Sequence, residues 1–475
     1  MLKPFKIILL SIAGVVGLLI LISAALFFLV DASVFKPRVE TAASEALGME
    51  VRIGGPLEIT FFPELQIQLG DVRIRNRGME IVSAKKAYVE VALRPLFHGE
   101  IRIGGIGMQH PRISIQRDRN GVLNYKNREA PKRRVSILGL RNLSLTDGIL
   151  LYRDEKSGEG FEAGSFNLDV HSLRIAGGNG AERLKNLSFI AEFSCREIRT
   201  KSLILSDVKF TGKGRDGVFA LDPVTLRLFG GQGSGKVEAD FSDPAPRYSV
   251  HASLSKFRIE EYLKTVSAEK LAEGSMNFST SLSMQGNTAK EIVRSAGGSA
   301  SLRGENLILH GYDLDREFAR FESSQNFNLV DAAAFFFAGP IGLAVTKGYD
   351  FAGIFQGSGG SSRIGKLFSD WKVERGIAQA LDVAMATRQN RVALKGRINF
   401  VDERFDDVTI ALINARGCAR VQQKIHGPFR KPVVEKPNVL ISLAGPVLNL
   451  LRQAGELLGA EKCEAFYTGS VPAPR

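Results

Sequence analysis

The residues of this chain that could do chemistry are its six histidines, three cysteines and a few clustered carboxylates. Their spacing argues against a catalytic or metal centre. His98, His110, His171, His251, His310 and His426 stand far apart, with no HExxH and no paired Cys/His spacing of the kind that holds zinc. Gly212-Lys213-Gly214-Arg215-Asp216-Gly217 fits the glycine pattern of a dinucleotide loop. The residues that follow, Val218 to Pro223, read as a strand running into a proline, whereas that fingerprint must open a helix. A hairpin loop is expected there. No Gly-x-Ser-x-Gly elbow surrounds any serine, and Asp402, Glu403, Asp406 and Asp407 read as solvated turn residues. No catalytic residue, metal ligand or cofactor is assigned, and the chain is expected not to be an enzyme.

The cysteines carry a structural expectation instead. Cys195 falls in an alternating stretch and reads as a small buried apolar residue. Cys418 and Cys463 both lie in the final segment. In an oxidising compartment they are expected to pair and close a loop of about 45 residues, worth roughly 3–4 kcal/mol in the chain-entropy model. The net charge of +13 fits nucleic acid or an anionic membrane surface. The one basic cluster, Lys126, Arg128, Lys132, Arg133 and Arg134, has no aromatic platform beyond Tyr125 and contains Pro131, so it reads as a solvated loop and no nucleic-acid partner is expected. Among the aromatics Phe dominates, 30 against 8 Tyr and 1 Trp. Phe has no polar atom and suits a dry surface.

The elements that would position these residues are mostly strands. Pro37 and Gly48 bracket a short helix whose Val39, Ala42, Ala43, Ala46 and Leu47 share a face. From Val51 the period changes to two. Leu65, Ile67 and Leu69 alternate, then Val72 and Ile74 in the opposite phase, so a bulge or two-residue turn is expected at Gly70-Asp71. The pattern continues through Val89, Val91 and Leu93, Ile101 and Ile103, Ile113 and Ile115. It recurs in Phe166–Val170, Leu187–Phe193, Val224–Leu228, Val237–Phe241, Tyr248–Leu254, Met276–Met284, Val392–Leu394 and Val408–Leu412, with turn signals at all-β spacing. A parallel α/β sheet is not expected, because long helices do not alternate with the strands. Short helices are expected near Tyr262–Val266, Thr288–Ala296, Asp313–Phe321 and Leu329–Phe337. Another is expected after the Gly357–Ser362 stretch, carrying Ile364, Leu367 and Phe368, and an amphipathic one at Pro446–Leu458.

Ile7 to Val30 is uncharged and apolar, and as a helix it would measure roughly 36 Å, enough to span a bilayer core. Lys3 and Lys6 precede it and Asp31 follows, so the amino terminus is expected inside and residues 31–475 outside. A cleaved signal peptide is the rival reading, with Ser23-Ala24-Ala25 as the cleavage site, but the apolar core exceeds the ~7–15 residues of a signal h-region.

Two sets of motifs carry a resemblance. The first comprises the anchor, the Pro37–Gly48 helix, Ile53-Gly54-Gly55-Pro56-Leu57, Gly70-Asp71-Val72 with Asn76, Leu93-Arg94-Pro95-Leu96 with Gly99, and Pro111-Arg112-Ile113-Ser114-Ile115 leading to Asp118, Gly121 and Asn124. The second comprises Ala386-Thr387-Arg388-Gln389-Asn390-Arg391-Val392, Gly396-Arg397-Ile398, Gly417-Cys418, Ile425-His426-Gly427-Pro428-Phe429 and the run from Cys463 to Ser470. On these the chain resembles the AsmA-like proteins of the Gram-negative inner membrane. The resemblance implies an open, taco-shaped β-groove with an apolar inner face, related to the bridge-like lipid-transfer proteins. It also implies a part in moving phospholipid between envelope membranes and in outer-membrane integrity.

The expected architecture is a mainly β, elongated repeating groove behind one transmembrane helix. It has a tail at 1–6, a span at 7–30, a linker helix at 31–50, a groove at 51–310 and a C-terminal region with strands and amphipathic helices at 311–475. The residues expected to line it are Val89, Val91, Leu93, Ile113, Ile115, Phe189, Phe193, Leu226, Leu228, Val250, Leu254, Phe278, Leu282, Leu394 and Ile410. Expected partners are phospholipids, the inner membrane and envelope assembly proteins. Alternation alone describes a closed β-sandwich equally well. The number of strands and the anchor favour the groove. A membrane-tethered scaffold for outer-membrane protein assembly is the alternative function.

Overall fold

The structure, a computed structural model, describes residues 32–60, 65–92, 102–126, 140–175, 181–265, 270–311, 313–324, 359–436, 438–439 and 464–474. Outside them lie Ile7–Val30, the Leu93–Gly99 motif with His98, Ile101, the basic cluster beyond Lys126, Leu329–Phe337, Pro446–Leu458 and Cys463. Among the described residues no helix is long and apolar enough to cross a membrane. The described chain is mainly β, with 23 strands and a few short helices. It divides into two compact units, Met1–Arg174 and Ile175–Arg475, the division falling inside the span 51–310 expected to form one groove.

In the first unit a 3₁₀ turn, Ala32–Phe35, leads into α1 (Lys36–Leu47). Pro37 sits in the first turn of α1 and Gly48, at φ 64°, ends it. β1 (Glu50–Ile53) and β2 (Leu57–Thr60) are two halves of one strand paired with β3 (Leu65–Asn76). The slip read at Gly70-Asp71 is a phase change inside β3 and not a turn: Leu69 and Val72 are both buried, Asp71 sits at φ 45°, and the register with β4 does not shift there. Opposite it, Gly54-Gly55-Pro56 interrupts the edge. Gly54 N–H donates to Asp71 O at 2.8 Å, Gly55 N–H to Gly70 O at 2.9 Å, and Gly70 N–H to Pro56 O at 2.9 Å. A Cβ on Gly55 would stand 2.8 Å from the Gly70 backbone, and one on Gly70 2.8 Å from Pro56 Cδ. Two of the sequence motifs are thus the two sides of one tight crossing.

Helix α1 covers the outer edge of β1. Lys36 Nζ donates to Gly55 O (3.1 Å), Ile53 N–H donates to Glu40 (2.6 Å), and Val51 N–H donates to Ser44 Oγ (2.9 Å). Spaced four apart, these side chains form one helical stripe that satisfies the edge backbone as a neighbouring strand would. Beyond β3 come β4 (Met79–Val91), β5 (Ile103–Gln109), β6 (Arg112–Arg117), β7 (Asn142–Asp154) and β8 (Gly160–Ile175). β5 and β6 occupy one ladder position, antiparallel to β4 and parallel to β7. These two parallel pairings depart from a purely antiparallel pattern, and residues 118–141 provide the long connection they need.

In the second unit α2 (Ala181–Lys185) precedes β9 (Leu187–Thr200), β10 (Ile204–Arg215), β11 (Val218–Leu228), β12 (Gly231–Asp240) and β13 (Arg247–Arg258). Then follow α3 (Ile259–Leu263), β14 (Ala272–Glu273), β15 (Ser275–Gln285), α4 (Ala289–Ser295), β16 (Gly297–His310) and α5 (Leu314–Ser324). β17 (Ser361–Glu374), β18 (Ile377–Ala386), β19 (Arg391–Asn399), β20 (Arg404–Ile413) and β21 (Ala419–Pro428) continue to the short β22 (Val433–Val434) and β23 (Asn438–Val439). Each long strand from β9 to β21 pairs antiparallel with the next long strand. The glycine pattern at 212–217 is a hairpin: Gly212 and Gly214 lie in β10, and Asp216 and Gly217 form its two-residue turn at φ 52° and 83°.

One expected helix is a strand. Ile364, Leu367 and Phe368 belong to β17, not to a helix. Their i, i+3, i+4 spacing arises because Ser362 and Ile364 are buried in one phase and Leu367, Ser369, Trp371 and Val373 in the other, the slip falling at Gly365-Lys366.

Candidate functional site

The cross-strand register brings the sequence-predicted apolar residues onto one face in each unit. In the first unit Ile67, Val89, Ile106, Leu143 and Val170 oppose one another across five strands, and Ile74, Val82, Ile113, Leu150 and Ala163 form a second row. Val89, Ile113 and Ile115 are half-buried, and Val91 is buried. Leu93 lies outside the described residues.

In the second unit one row runs Phe193, Phe210, Val224, Gly235 and Ala252, and another runs Leu226, Gly233, Leu254, Phe278 and Leu302. Phe189, Phe193, Leu226, Leu228, Val250, Leu254, Phe278 and Leu282 are all half-buried. Phe193 stacks on Phe210 at 4.7 Å and Phe189 on Phe219 at 6.0 Å. Gly214 lies between the last two rings, where a Cβ would come within 2.5 Å of Phe189, so the glycine lets the rings lean together. The opposite face is polar. Thr225, Arg227 and His251 are exposed, Arg227 Nε sits 3.4 Å from Asp207, and Ser234 and Ser253 share a 2.8 Å hydrogen bond. From β9 to β15 the sheet therefore has one wet face and one apolar face with large side chains left partly accessible.

The same apolar face continues onto β16–β21, but there it is closed. Leu394 and Ile410 are 2% and 0% exposed, in a cluster with Trp371, Met385 and Leu412 to which α3 contributes Ile259, Tyr262 and Leu263 and α5 contributes Leu314 and Phe318. Burial pushes the Tyr262 hydroxyl up to about 12. Leu254, Phe278 and Leu282 pack at the border of this cluster.

The outer face of β18–β20 is also covered. Ala384, Ala386, Ala393, Ala411 and Ile413 are buried beneath Tyr467 and Val471 of the C-terminal tail. Tyr467 Oη and Ser470 N–H both donate to Asp382, and Arg391 donates to Val471 O (2.9 Å), Asn414 O (2.9 Å) and Ala415 O (3.2 Å). Burial pushes the Asp382 carboxyl up, but the donors from Tyr467 and Ser470 outweigh it and hold the group below the usual carboxylate range. Sequence reading missed this site. Its signal was the apolar run on both phases in Val383–Ala386 and Ile410–Ile413, the mark of a strand buried on two faces.

The chemistry-bearing residues remain apart. His110 meets Asp147, His310 meets Glu273 and His426 meets Glu435, all as local pairs at 3.4–3.5 Å. Asp402 and Asp406 accept from Asn399 in the β19–β20 turn. Among the described residues no three His, Cys, Asp or Glu side chains gather as a metal site. Cys195 is a buried thiol whose Sγ donates to Glu197 O at 3.2 Å, and Cys418 is disulfide-bonded, while Cys463 lies outside the described residues.

The AsmA family model matches residues 1–175 and 181–333, more than half of the chain. The chain belongs to the AsmA family. The AsmA match covers both halves of the Gly54-Gly55-Pro56 and Gly70-Asp71 crossing and all of β9–β16, and it ends before the second motif set, 386–470. No curated protein and no solved structure matches the chain significantly.

Proposed function

We propose that this AsmA-family chain is a membrane-anchored, periplasmic lipid-handling protein that shields phospholipid acyl chains on its apolar sheet face during transfer between the inner and outer membranes, without a catalytic group. The observation that carries this reading is the half-buried apolar face of β9–β13 and β15, backed by a polar face on the same strands. Each buried CH₂ is worth about 0.8 kcal/mol, so exposing a two-chain phospholipid to water costs on the order of 20 kcal/mol. An apolar surface that travels with the lipid's path lowers that barrier by solvation alone. Ile7–Val30 would supply the anchor and place the sheet outside the cytoplasm. The scaffold alternative needs an open strand edge to receive a partner strand. At β1 that edge is occupied by Lys36, Glu40 and Ser44, which favours the lipid reading.

A photo-crosslinking residue tests it in cells. At Leu228 or Leu254 it should capture phospholipid, and at Arg227 or Ser253, on the opposite face, it should capture none. Capture of protein but no lipid at the two leucines would overturn the lipid reading in favour of the scaffold.

A further inference from the structure

The second motif set converges on one turn with two hands. Thr387 Oγ1 and Asn390 Nδ2, the latter at 2.8 Å, both donate to Asp315 in the first turn of α5, which lies on the apolar face. Ser362 Oγ accepts from Leu314 N–H at 2.6 Å and fixes the same helix start. The next residue along the strand, Arg391, reaches the other way. It holds Val471 O of the tail and the β20–β21 turn through Asn414 O and Ala415 O, with its guanidinium 5.5 Å from the Tyr467 ring centre. Tyr467 in turn donates to Asp382, receives Val471 N–H at 2.9 Å and donates its own N–H to Gly417 O at 3.0 Å.

From this geometry we infer that the β18–β19 turn is a double clasp, coupling the C-terminal tail on the outer face to α5 on the inner face, so that release of the tail unlatches α5 and opens the buried end of the apolar face. Arg391 is only 7% exposed, and its Nε has no hydrogen-bond partner among the described residues. Loss of the tail removes the Val471 acceptor and the Tyr467 ring that cover the guanidinium, and the uncovered cation turns toward water. Arg391 is paired directly with Ala386 at the mouth of the hairpin, so its movement displaces Thr387 and Asn390. Asp315 then loses two donors at once. By linkage, freeing α5 must loosen the tail by the same factor. The coupling is a property of the folded chain and does not depend on lipid being the cargo.

Hydrogen exchange on the full chain reads both directions. Tyr467→Phe, which removes one hydroxyl, should speed exchange in 314–324 by at least about twofold, the lower end of side-chain coupling. Asp315→Ala should speed exchange in the tail, 464–474, by a similar factor. In both variants β12 and β13 should exchange as in the wild type, and the emission of Trp371, which is 1% exposed and the chain's 1 tryptophan, should shift to the red. Acceleration confined to the tail in Tyr467→Phe, or to α5 in Asp315→Ala, would overturn the coupling. Should one variant accelerate exchange everywhere, including β12, the other decides alone.

Discussion

Gly55 and Gly70 show how little freedom the family motifs leave to single atoms. Each faces the other's backbone or Pro56 at a distance no Cβ tolerates, and the partner atoms are main chain or a ring, so neither can give way. Gly70→Ala is expected to destabilise the protein by roughly 1–3 kcal/mol, as overpacking does. Gly164, in β8, has nothing within 4 Å of its notional Cβ and no left-handed φ, and its replacement by Ala should fall within about 0.5 kcal/mol of the wild type. Urea unfolding midpoints compare the two directly. Equal midpoints would mean that β1–β3 does not need the crossing. Asp382 acts at the same scale with a titratable group. Its folded carboxyl is held below the ordinary value of 3.8, so the stability it adds is fully present above about pH 4 and is lost as pH falls through the folded value. On acidification below pH ~4 the wild type should lose stability more steeply than Asp382→Asn, which has no charge to lose. Parallel acid profiles for the two proteins would show that Tyr467 and Ser470 do not stabilise the charged form.

At the scale of elements, what was legible in the sequence is what a single phase of alternation can express. Leu65 to Ile74 exposes its own phase change, because apolar residues switch faces across Gly70-Asp71. Pro37 and Gly48 mark a helix by backbone chemistry alone, and Asp216-Gly217 marks a turn against a misleading glycine pattern. β17 was misread because a phase slip between Ile364 and Leu367 imitates a helical stripe, and only pairing with Leu307 and Met385 on its two sides removes the ambiguity. The parallel pairing of β7 with β5 and β6 was invisible, since alternation carries no direction. The outer-face alanines of β18–β20 give little signal, because alanine is too small to mark a buried face by itself. Their small size is what lets the tail lie close to the sheet, and Arg391, a cation in an apolar run, was the sign that something must cover it.

At the scale of the whole molecule, the second unit places chemically similar leucines and isoleucines in two physical situations on one face. Leu228, on β11, is half-buried, whereas Ile410, on β20, is fully buried in the cluster closed by α3 and α5. A charge tells these situations apart. Leu228→Asp keeps a path to water for its carboxylate, so the fold should survive and the protein should accumulate at wild-type level. The charge nevertheless sits on the face proposed to carry acyl chains, where desolvation would oppose it by several kcal/mol, so envelope function and lipid capture at Leu254 should be lost. Ile410→Asp has no such path. Its unpaired charge should unfold the unit, and both abundance and function should fall together. Immunoblotting for abundance, a detergent-sensitivity assay for envelope function and crosslinking at Leu254 separate the outcomes. If Leu228→Asp removes the protein as thoroughly as Ile410→Asp, then β11 is as closed as β20 and the face cannot carry lipid.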